Sequence, residues 1–152
     1  MQIEITPERP DHPDARILIE ELSNYLEPLS PPESRHGYSI EKLLARNVDF
    51  FIARLDSFPA GCGGIEFFGQ EYGEIKRMYV RARFRGQGLG KRIVAHLSAH
   101  AQGRGVTTLR LETGSRMADA IGLYESQGFT RIPPFGEYNE DPLSCFFEKK
   151  IP

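Results

Sequence analysis

A glycine-rich turn at the start of a long helical segment constrains this chain more than any other feature. The turn reads Arg85-Gly86-Gln87-Gly88-Leu89-Gly90-Lys91. Glycines at alternate positions let successive backbone N–H groups converge on one point, where the positive end of the helix dipole also lies. Arg85 and Lys91 add full positive charges. The sequence therefore predicts that this turn cradles a pyrophosphate group.

Positive charge is concentrated around this turn, although the whole chain is slightly acidic. The 152 residues contain 19 Lys and Arg against 21 Asp and Glu, a net charge of 19 − 21 = −2, which argues against nonspecific nucleic-acid binding by the chain as a whole. Residues 75–92 contain no acid and seven cations, namely Lys76, Arg77, Arg81, Arg83, Arg85, Lys91 and Arg92. This run predicts a site for an anion. Tyr79 and Phe84 within the run leave single-stranded nucleic acid as an alternative ligand.

The spacing of the glycines separates this turn from two common nucleotide-binding motifs. A P-loop requires G-x-x-x-x-G-K-[ST], and no hydroxyl residue follows Lys91. A dinucleotide-binding turn requires G-x-G-x-x-G, whereas Gly86, Gly88 and Gly90 are spaced by two. Nucleotide hydrolysis and dinucleotide binding are therefore disfavoured.

Length and composition predict one globular domain over residues 1–152. Hydrophobic residues make up 39% and charged residues 26%, too apolar for a disordered chain and too mixed for a fibrous one. No apolar run approaches the roughly 20 residues of a membrane helix, and the N-terminus lacks the apolar region of a signal peptide, so we expect a cytoplasmic protein. Cys62 and Cys145 lie far apart, and His96 with His100 lacks a third ligand, so no disulfide and no metal are expected.

Hydrophobic periodicity predicts a mixed sheet covered by helices. Strands are predicted at residues 2–5, 50–53, 62–68, 72–80, 106–111, 129–132 and 144–149. Helices are predicted at residues 14–26, directly after Ser39, from the glycine turn to Gly103, and at residues 118–126. The order strand, helix, helix, three strands, helix, strand, helix, two strands is typical of one α/β domain.

Two sequence motifs lie at a characteristic separation in the second half of the chain. The first is R-x-x-G-x-G at residues 85–90, after a strand that ends in Met78-Tyr79-Val80. The second is Ala120-x-x-Leu123-Tyr124-x-x-x-Gly128-Phe129. Together, over residues 50–149, they resemble the GNAT superfamily of acyl-coenzyme A dependent N-acetyltransferases. The resemblance implies an α/β fold with a central, mostly antiparallel sheet of about seven strands, of which the fourth and fifth splay apart, and four helices.

The resemblance also implies that acetyl-CoA is the cosubstrate and binds between the splayed strands. The pantetheine arm would pair with the backbone of Met78 and Val80 like an added strand, and the glycine turn would hold the pyrophosphate. The implied coenzyme-binding residues are Met78, Tyr79, Val80, Arg85, Gly86, Gln87, Gly88, Leu89, Gly90 and Lys91. Met117 stands where relatives often carry Asn, which puts a side-chain hydrogen bond to the coenzyme in doubt at that position.

Two side chains are candidates for the proton transfers that acyl transfer requires. By resemblance Tyr124 faces the thioester sulfur and protonates the leaving thiolate; its alternative role is that of a core aromatic. Glu74, on the fourth predicted strand, matches the general base of the histone-acetylating members. The alternative for Glu74 is an ordinary strand residue, with a water chain acting as the base.

The acceptor is expected to approach from the side opposite the coenzyme, where the resemblance places residues 28–38 and 133–142. The candidate acceptor-binding residues in these loops are Glu33, His36, Tyr38 and Tyr138. Their acids and hydroxyls suit a small polar amine. Because Arg35 lies beside them in sequence, an acceptor that also carries a carboxylate is left open.

The sequence therefore predicts an N-acetyltransferase that moves the acetyl group of acetyl-CoA to the primary amine of a small polar molecule, by direct attack in a ternary complex. We expect no nucleic-acid or membrane partner. Three alternatives stay open: a noncatalytic acyl-CoA-binding module, a nucleic-acid binder that reads phosphates with the same turn, and an enzyme that acetylates proteins or peptides. A homodimer and a longer acyl donor are also left open.

Overall fold

A seven-stranded sheet organises the fold in the computed structural model, which describes residues 2–152. Its strands are β1 (Ile3–Pro7), β2 (Asp49–Leu55), β3 (Phe58–Phe68), β4 (Tyr72–Val80), β5 (Thr108–Gly114), β6 (Thr130–Ile132) and β7 (Ser144–Lys150). They lie in the order β1-β2-β3-β4-β5-β7-β6. All neighbouring pairs are antiparallel except β4 with β5, which is parallel. The predicted α/β fold with a mixed, mostly antiparallel sheet is confirmed.

Four α-helices cover the sheet, and capping side chains explain where two of them begin. The helices are α1 (Pro13–Leu26), α2 (Ile40–Ala45), α3 (Leu89–Gly103) and α4 (Ala118–Ser126). The His12 imidazole accepts a hydrogen bond from the backbone N–H of Asp14, and the Ser39 hydroxyl accepts one from that of Lys42. Within residues 2–152, no helix is both long enough and apolar enough to cross a membrane.

The helices divide between the two faces of the sheet. On one face, α1 and α2 bury Leu18 and Leu43 in a core that includes Ile52 of β2. On the other face, α3 buries Leu97 in a second core that includes Phe51 of β2. Phe51 and Ile52 are consecutive, so the alternation of side chains along β2 supplies both layers. Burial of apolar side chains on both faces stabilises the fold.

The hairpin of β2 and β3 is longer than the sequence predicts. β3 begins at Phe58 rather than at residue 62, and it incorporates glycines that would weaken an ordinary strand. Gly61 is required where the backbone of β4 approaches closely, because a Cβ on it would lie 2.7 Å from the carbonyl oxygen of Tyr79. β1 and β2 each end two residues later than predicted.

The bounds of β5 also differ from the prediction of residues 106–111. The strand begins at Thr108, because the N–H of Val106 still donates to the carbonyl of Ala101 at the end of α3. It continues to Gly114, because it pairs along its whole length with β7. This extension brings Glu112 into the strand.

β4 and β5 pair only near their starts. The parallel pairing joins Gly73 to Leu109 and Glu74 to Arg110. Further along, Arg77 has a φ of 52°, and the pairing of β4 with β3 shifts in register nearby. The later residues of β4 have no strand partner on the β5 side within residues 2–152. A slot therefore opens between the two strands, as the resemblance implied.

Candidate active site

The slot between β4 and β5 contains a cavity of about 300 Å³. Residues from β4, β5, α1 and α4 line it, among them Met78, Glu112, Met117 and Tyr124. Met117 contributes a thioether to this wall, so no amide side chain is offered to a ligand at that position. The fold thus brings Met78 of the first motif region and Tyr124 of the second to one cavity.

The glycine turn connects the end of β4 to α3. Gly86 and Gly88 have φ values of 80° and 77°, a left-handed conformation that favours glycine. Apart from each glycine and its two chain neighbours, no described atom lies within 4 Å of the position that a Cβ would take on either residue, so the space beside the turn is open. Gly88 is the N-cap of α3 and provides no capping side chain, which leaves the first N–H groups of the helix available to a ligand. The Leu89 side chain is buried, so Leu89 offers only its backbone.

Only part of the basic run faces this turn. Lys76 pairs with Glu74, and Arg81 pairs with Glu21 of α1. Arg77 bonds to α1 instead. Among the cations of residues 75–92, those that are exposed and form no ion pair with any described residue are Arg83, Arg85, Lys91 and Arg92. The interpretation that all seven cations meet one anion was therefore wrong for the first three, because Glu74 engages Lys76, the α1 backbone engages Arg77 and Glu21 engages Arg81.

Tyr124 is buried where α4 packs on the sheet, and it also lines the slot. Its ring centroid lies 5.6 Å from that of Phe129 in an edge-to-face contact. Burial, with a smaller contribution from the Glu112 carboxylate, raises the pKa of the Tyr124 phenol well above its usual value. No described residue forms a hydrogen bond with the hydroxyl. Tyr124 is therefore both a core aromatic and a protonated donor facing the slot.

Glu74 is buried at the start of the slot, with its carboxylate engaged. Lys76 Nζ lies 2.7 Å from Glu74 Oε2, and the Tyr138 hydroxyl donates to the same oxygen at 2.5 Å. Lys76 Nζ also donates to the Tyr138 oxygen at 3.1 Å. These three groups form a closed, charge-neutral triangle. The Glu74 carboxylate therefore has two donors on one of its oxygens.

Glu112 is a functional candidate that the sequence analysis missed. It lies in β5 and lines the slot with Tyr124. Burial raises the pKa of its carboxyl to about 7, with only partial opposition from the Ser144 hydroxyl and the Lys76 charge. The predicted strand ended at residue 111, so Glu112 was placed in a loop. A strand extended by one residue would have included it.

A second cavity, of about 690 Å³, adjoins the slot. All four predicted acceptor-binding residues line it: Glu33, His36, Tyr38 and Tyr138. The residues that line both cavities are Arg35, His36, Gly37, Tyr38, Glu74, Lys76 and Tyr138. The Ser34 hydroxyl donates to Asp141 Oδ2 at 2.7 Å, which joins the two loops that enclose the larger cavity. The loops predicted to face the acceptor therefore come together in one place.

The hydroxyls of Tyr38 and Tyr138 in this cavity are already bonded to carboxylates. Tyr38 donates to Glu66 Oε1 at 2.7 Å, and Arg46 pairs with the other oxygen of Glu66 at 2.7 Å. The Tyr38 ring also faces the Lys76 ammonium, whose Nζ lies 4.0 Å from the ring centroid. His36 packs edge-on against Tyr138, with ring centroids 5.2 Å apart. The cavity wall thus consists of packed aromatic rings and paired charges.

The chain matches known proteins in sequence. Residues 15–129 match the model of the acetyltransferase (GNAT) family. The chain belongs to the GNAT family. It is 42% identical over 135 residues to the IAA acetyltransferase of Azospirillum brasilense, with 88% of each chain covered.

Solved structures of similar fold agree with this membership in the GNAT family. A protein from Klebsiella pneumoniae is 34% identical and has a TM-score of 0.83, with 99% of this chain and 98% of that chain covered. The PaiA N-acetyltransferase of Thermoplasma acidophilum, solved with coenzyme A, has a TM-score of 0.76 at 22% identity, with 99% of each chain covered. The protein is thus an acyl-CoA-dependent N-acetyltransferase with acetyl-CoA as cosubstrate, and the predicted enzyme class is confirmed.

Proposed function

We propose that this GNAT enzyme acetylates the primary amine of a small polar molecule by direct attack on acetyl-CoA in a ternary complex, within one domain at residues 1–152. The junction of the two cavities carries the proposal. The slot beside Tyr124 and the larger cavity share seven lining residues. A thioester in the slot and an amine in the larger cavity would therefore meet near Glu74 and Lys76.

In this proposal the coenzyme occupies the slot and the glycine turn. The unpaired edge of β4 offers the backbone groups of Met78 and Val80 to the pantetheine arm, as an added strand would use them. Tyr79 contributes only its backbone, because its hydroxyl donates to Glu21. The N–H groups of residues 86–91, with the exposed charges of Arg85 and Lys91, bind the pyrophosphate.

Direct transfer is favoured over a covalent acyl-cysteine intermediate. Cys62 and Cys145 are both buried. The Cys62 thiol donates to the carbonyl of Arg77, and burial raises its pKa to about 12, so little of the reactive thiolate forms at neutral pH. Neither cysteine lines the slot or the larger cavity. The amine therefore attacks the thioester carbonyl itself.

Glu112 and Tyr124 supply the proton transfers in this proposal. The ammonium group of the acceptor must lose a proton before the neutral amine can attack, and a base with a pKa near the working pH accepts that proton best. Glu112 meets that condition, whereas the Glu74 carboxylate is already engaged by Lys76 and the Tyr138 hydroxyl. The proton of the Tyr124 phenol passes to the departing thiolate as the C–S bond breaks. Glu74, the base expected from the sequence, is the alternative.

The larger cavity favours a small acceptor over a protein. Its volume of about 690 Å³ lies in the range of small-molecule sites. The Ser34–Asp141 hydrogen bond connects the two loops that enclose this cavity. This connection narrows the opening through which an extended peptide would have to pass. Acidic groups from the loop before β7 line it, namely Glu137, Glu140 and Asp141, and they suit a protonated amine before it is activated.

A thiol-release assay tests the proposed function. Acetyl-CoA is incubated with amino acids, polyamines, aminoglycosides, peptides and IAA, the last because of the name of the Azospirillum brasilense relative. We expect release of CoA thiol with at least one small amine, and a mass increase of one acetyl group on it. Activity confined to peptides would contradict the small-molecule acceptor. Tyr124→Phe serves as the control for enzyme-dependent release.

A further inference from the structure

Arg77 is a half-buried cation in the slot with no carboxylate partner. It lies at the bulge of β4, and its Nη2 donates to the carbonyl of Ile19 at 3.1 Å and to the hydroxyl of Ser23. Its Nε is buried and has no hydrogen-bond partner among the described residues. Burial removes water from the guanidinium, and hydrogen bonds to neutral groups offset only part of the free-energy cost of that desolvation.

The other half-buried arginines of residues 2–152 differ from Arg77 in this respect. Arg54 pairs with Asp14 at 2.8 Å, Arg81 with Glu21 at 2.8 Å, and Arg110 with Glu148 at 2.8 Å. Burial lowers the pKa of the Arg77 guanidinium. The fold therefore pairs its half-buried arginines with acids except at the one that lines the slot.

The free end of Arg77 lies at the loop that joins the two cavities. Nη1 makes no hydrogen bond within residues 2–152, and it packs against Gly37, where a Cβ would overlap it. Gly37 lines both cavities, and Arg77 lines the slot. Glycine at this position therefore leaves room for the guanidinium at the cavity junction.

A second guanidinium on the same wall also has no acid partner. Arg35 donates to the backbone carbonyls of Ser30 at 2.8 Å and Glu27 at 2.9 Å, and it lines both cavities. Neither Glu74 nor Glu112 of the slot pairs with these arginines. Glu74 is bonded to Lys76 and Tyr138, and Glu112 makes no ion pair within residues 2–152.

We propose that the amine acceptor also carries a carboxylate, as an amino acid does, and that Nη1 of Arg77, assisted by Arg35, binds that carboxylate. This inference rests on the proposed function and specifies its substrate class. The planar donor groups of a guanidinium match a carboxylate, and a ligand of opposite charge supplies the compensation that Arg77 lacks in the free enzyme. The amine of such an acceptor then extends towards the thioester.

Matched acceptors test the carboxylate directly. The initial rates with L-amino acids are compared with those of their α-carboxamides at pH 7, with acetyl-CoA saturating. We expect kcat/KM to be about tenfold or more higher for the acid, consistent with a charge-assisted hydrogen bond. The amine of an amino acid amide is less basic than that of the amino acid, so at pH 7 a larger fraction of the amide is the neutral nucleophile. Amine ionisation alone would therefore favour the amide and cannot produce a preference for the acid. Equal or greater activity with the amides overturns the proposal.

Three variants assign the preference to the proposed residues. Arg77→Gln, Arg35→Gln and Gly37→Ala should each lower the ratio of acid to amide activity, about tenfold for Arg77→Gln, while the KM for acetyl-CoA changes less than twofold. Gly37→Ala displaces the guanidinium without removing it, and Arg35 is exposed, so these two stay informative if Arg77→Gln unfolds. The control Arg131→Gln, an exposed arginine on β6, should leave the ratio unchanged.

Failure of the proposed function is distinguishable from failure of this inference. If no amine is acetylated, the proposed function fails, and calorimetry on the enzyme–CoA complex still compares amino acid with amide. Tighter binding of the acid that is lost in Arg77→Gln supports the carboxylate site. Retained preference in the Arg77, Arg35 and Gly37 variants overturns it.

Discussion

The Tyr138 hydroxyl lies 2.5 Å from Oε2 of Glu74, and this contact ties the loop before β7 directly to β4. The loop on one side of the larger cavity is thereby fixed to the strand at which the slot begins. Lys76 completes the contact by bonding both groups. The loop before β7 is therefore held to β4 by a direct side-chain contact.

Gly88→Val should abolish acetyl-CoA binding. The φ of 77° disfavours a β-branched residue, and the open space at this position is where the pyrophosphate is expected. Isothermal titration calorimetry measures the loss. Gly69→Val is the matched control, because Gly69 also has a positive φ and an open Cβ position but lies in the β3–β4 turn. Unchanged affinity in Gly88→Val would contradict the assignment.

Tyr124→Phe should lower kcat by about 10²-fold or more, the usual contribution of a general acid, while the affinity for acetyl-CoA stays close to that of the wild type. The hydroxyl has no partner among the described residues, so its removal leaves no unsatisfied group and should change the Tm little. Stopped-time assays of thiol release and a thermal melt measure both quantities. Wild-type turnover in the variant would return Tyr124 to a packing role alone.

Glu112→Gln should remove the acidic limb of the pH–rate profile. Burial raises the pKa of Glu112 to about 7, so the wild-type rate should rise with pH as the carboxyl loses its proton and level off above that value. Since glutamine accepts no proton, the variant should be slow and nearly independent of pH across the same interval.

Glu74→Gln decides between the two carboxylates in the same assay. If Glu112 is the base, the Glu74 variant keeps the acidic limb, and its defect lies in the acceptor KM because Lys76 and Tyr138 lose their partner. If instead Glu74→Gln loses the limb and Glu112→Gln keeps it, the base expected from the sequence is the correct one.

Tyr138→Phe and Glu33→Ala should raise the acceptor KM and spare the KM for acetyl-CoA. Tyr138→Phe should also lower the free energy of unfolding by about 1–3 kcal/mol, because it leaves Glu74 without one of its two donors. Glu33 is exposed, so Glu33→Ala should not change stability. Urea unfolding and steady-state kinetics measure these effects. Equal changes in the KM for the acceptor and the KM for acetyl-CoA would contradict the assignment of these loops to the acceptor site.

The parts of the fold set by local sequence could be predicted. β4 and α4 were predicted with the bounds that the structure shows, because glycine, basic and polar residues mark the ends of their apolar patterns. The end of β5 depends on pairing with β7, 30 or more residues further along the chain, and the local sequence pattern does not contain that information. Glu112 was missed for this reason.

The electrostatics of the site depended on contacts that the sequence does not reveal. A count of seven cations gave no sign that Arg81 pairs with Glu21, 60 residues earlier. Nor did it show that Arg77 turns to α1 without an acid partner. The predicted acceptor residues were brought together, yet the hydroxyls of Tyr38 and Tyr138 are bonded to buried carboxylates.

Initial-rate kinetics with both substrates varied, coupled to mass spectrometry of the acceptor, test the central claim most directly. Direct transfer in a ternary complex predicts that thiol release requires the amine, that one N-acetyl group appears on a small amine for each CoA released, and that the double-reciprocal lines intersect. Parallel lines with an acetyl group found on the protein, the pattern of a covalent intermediate, would contradict it.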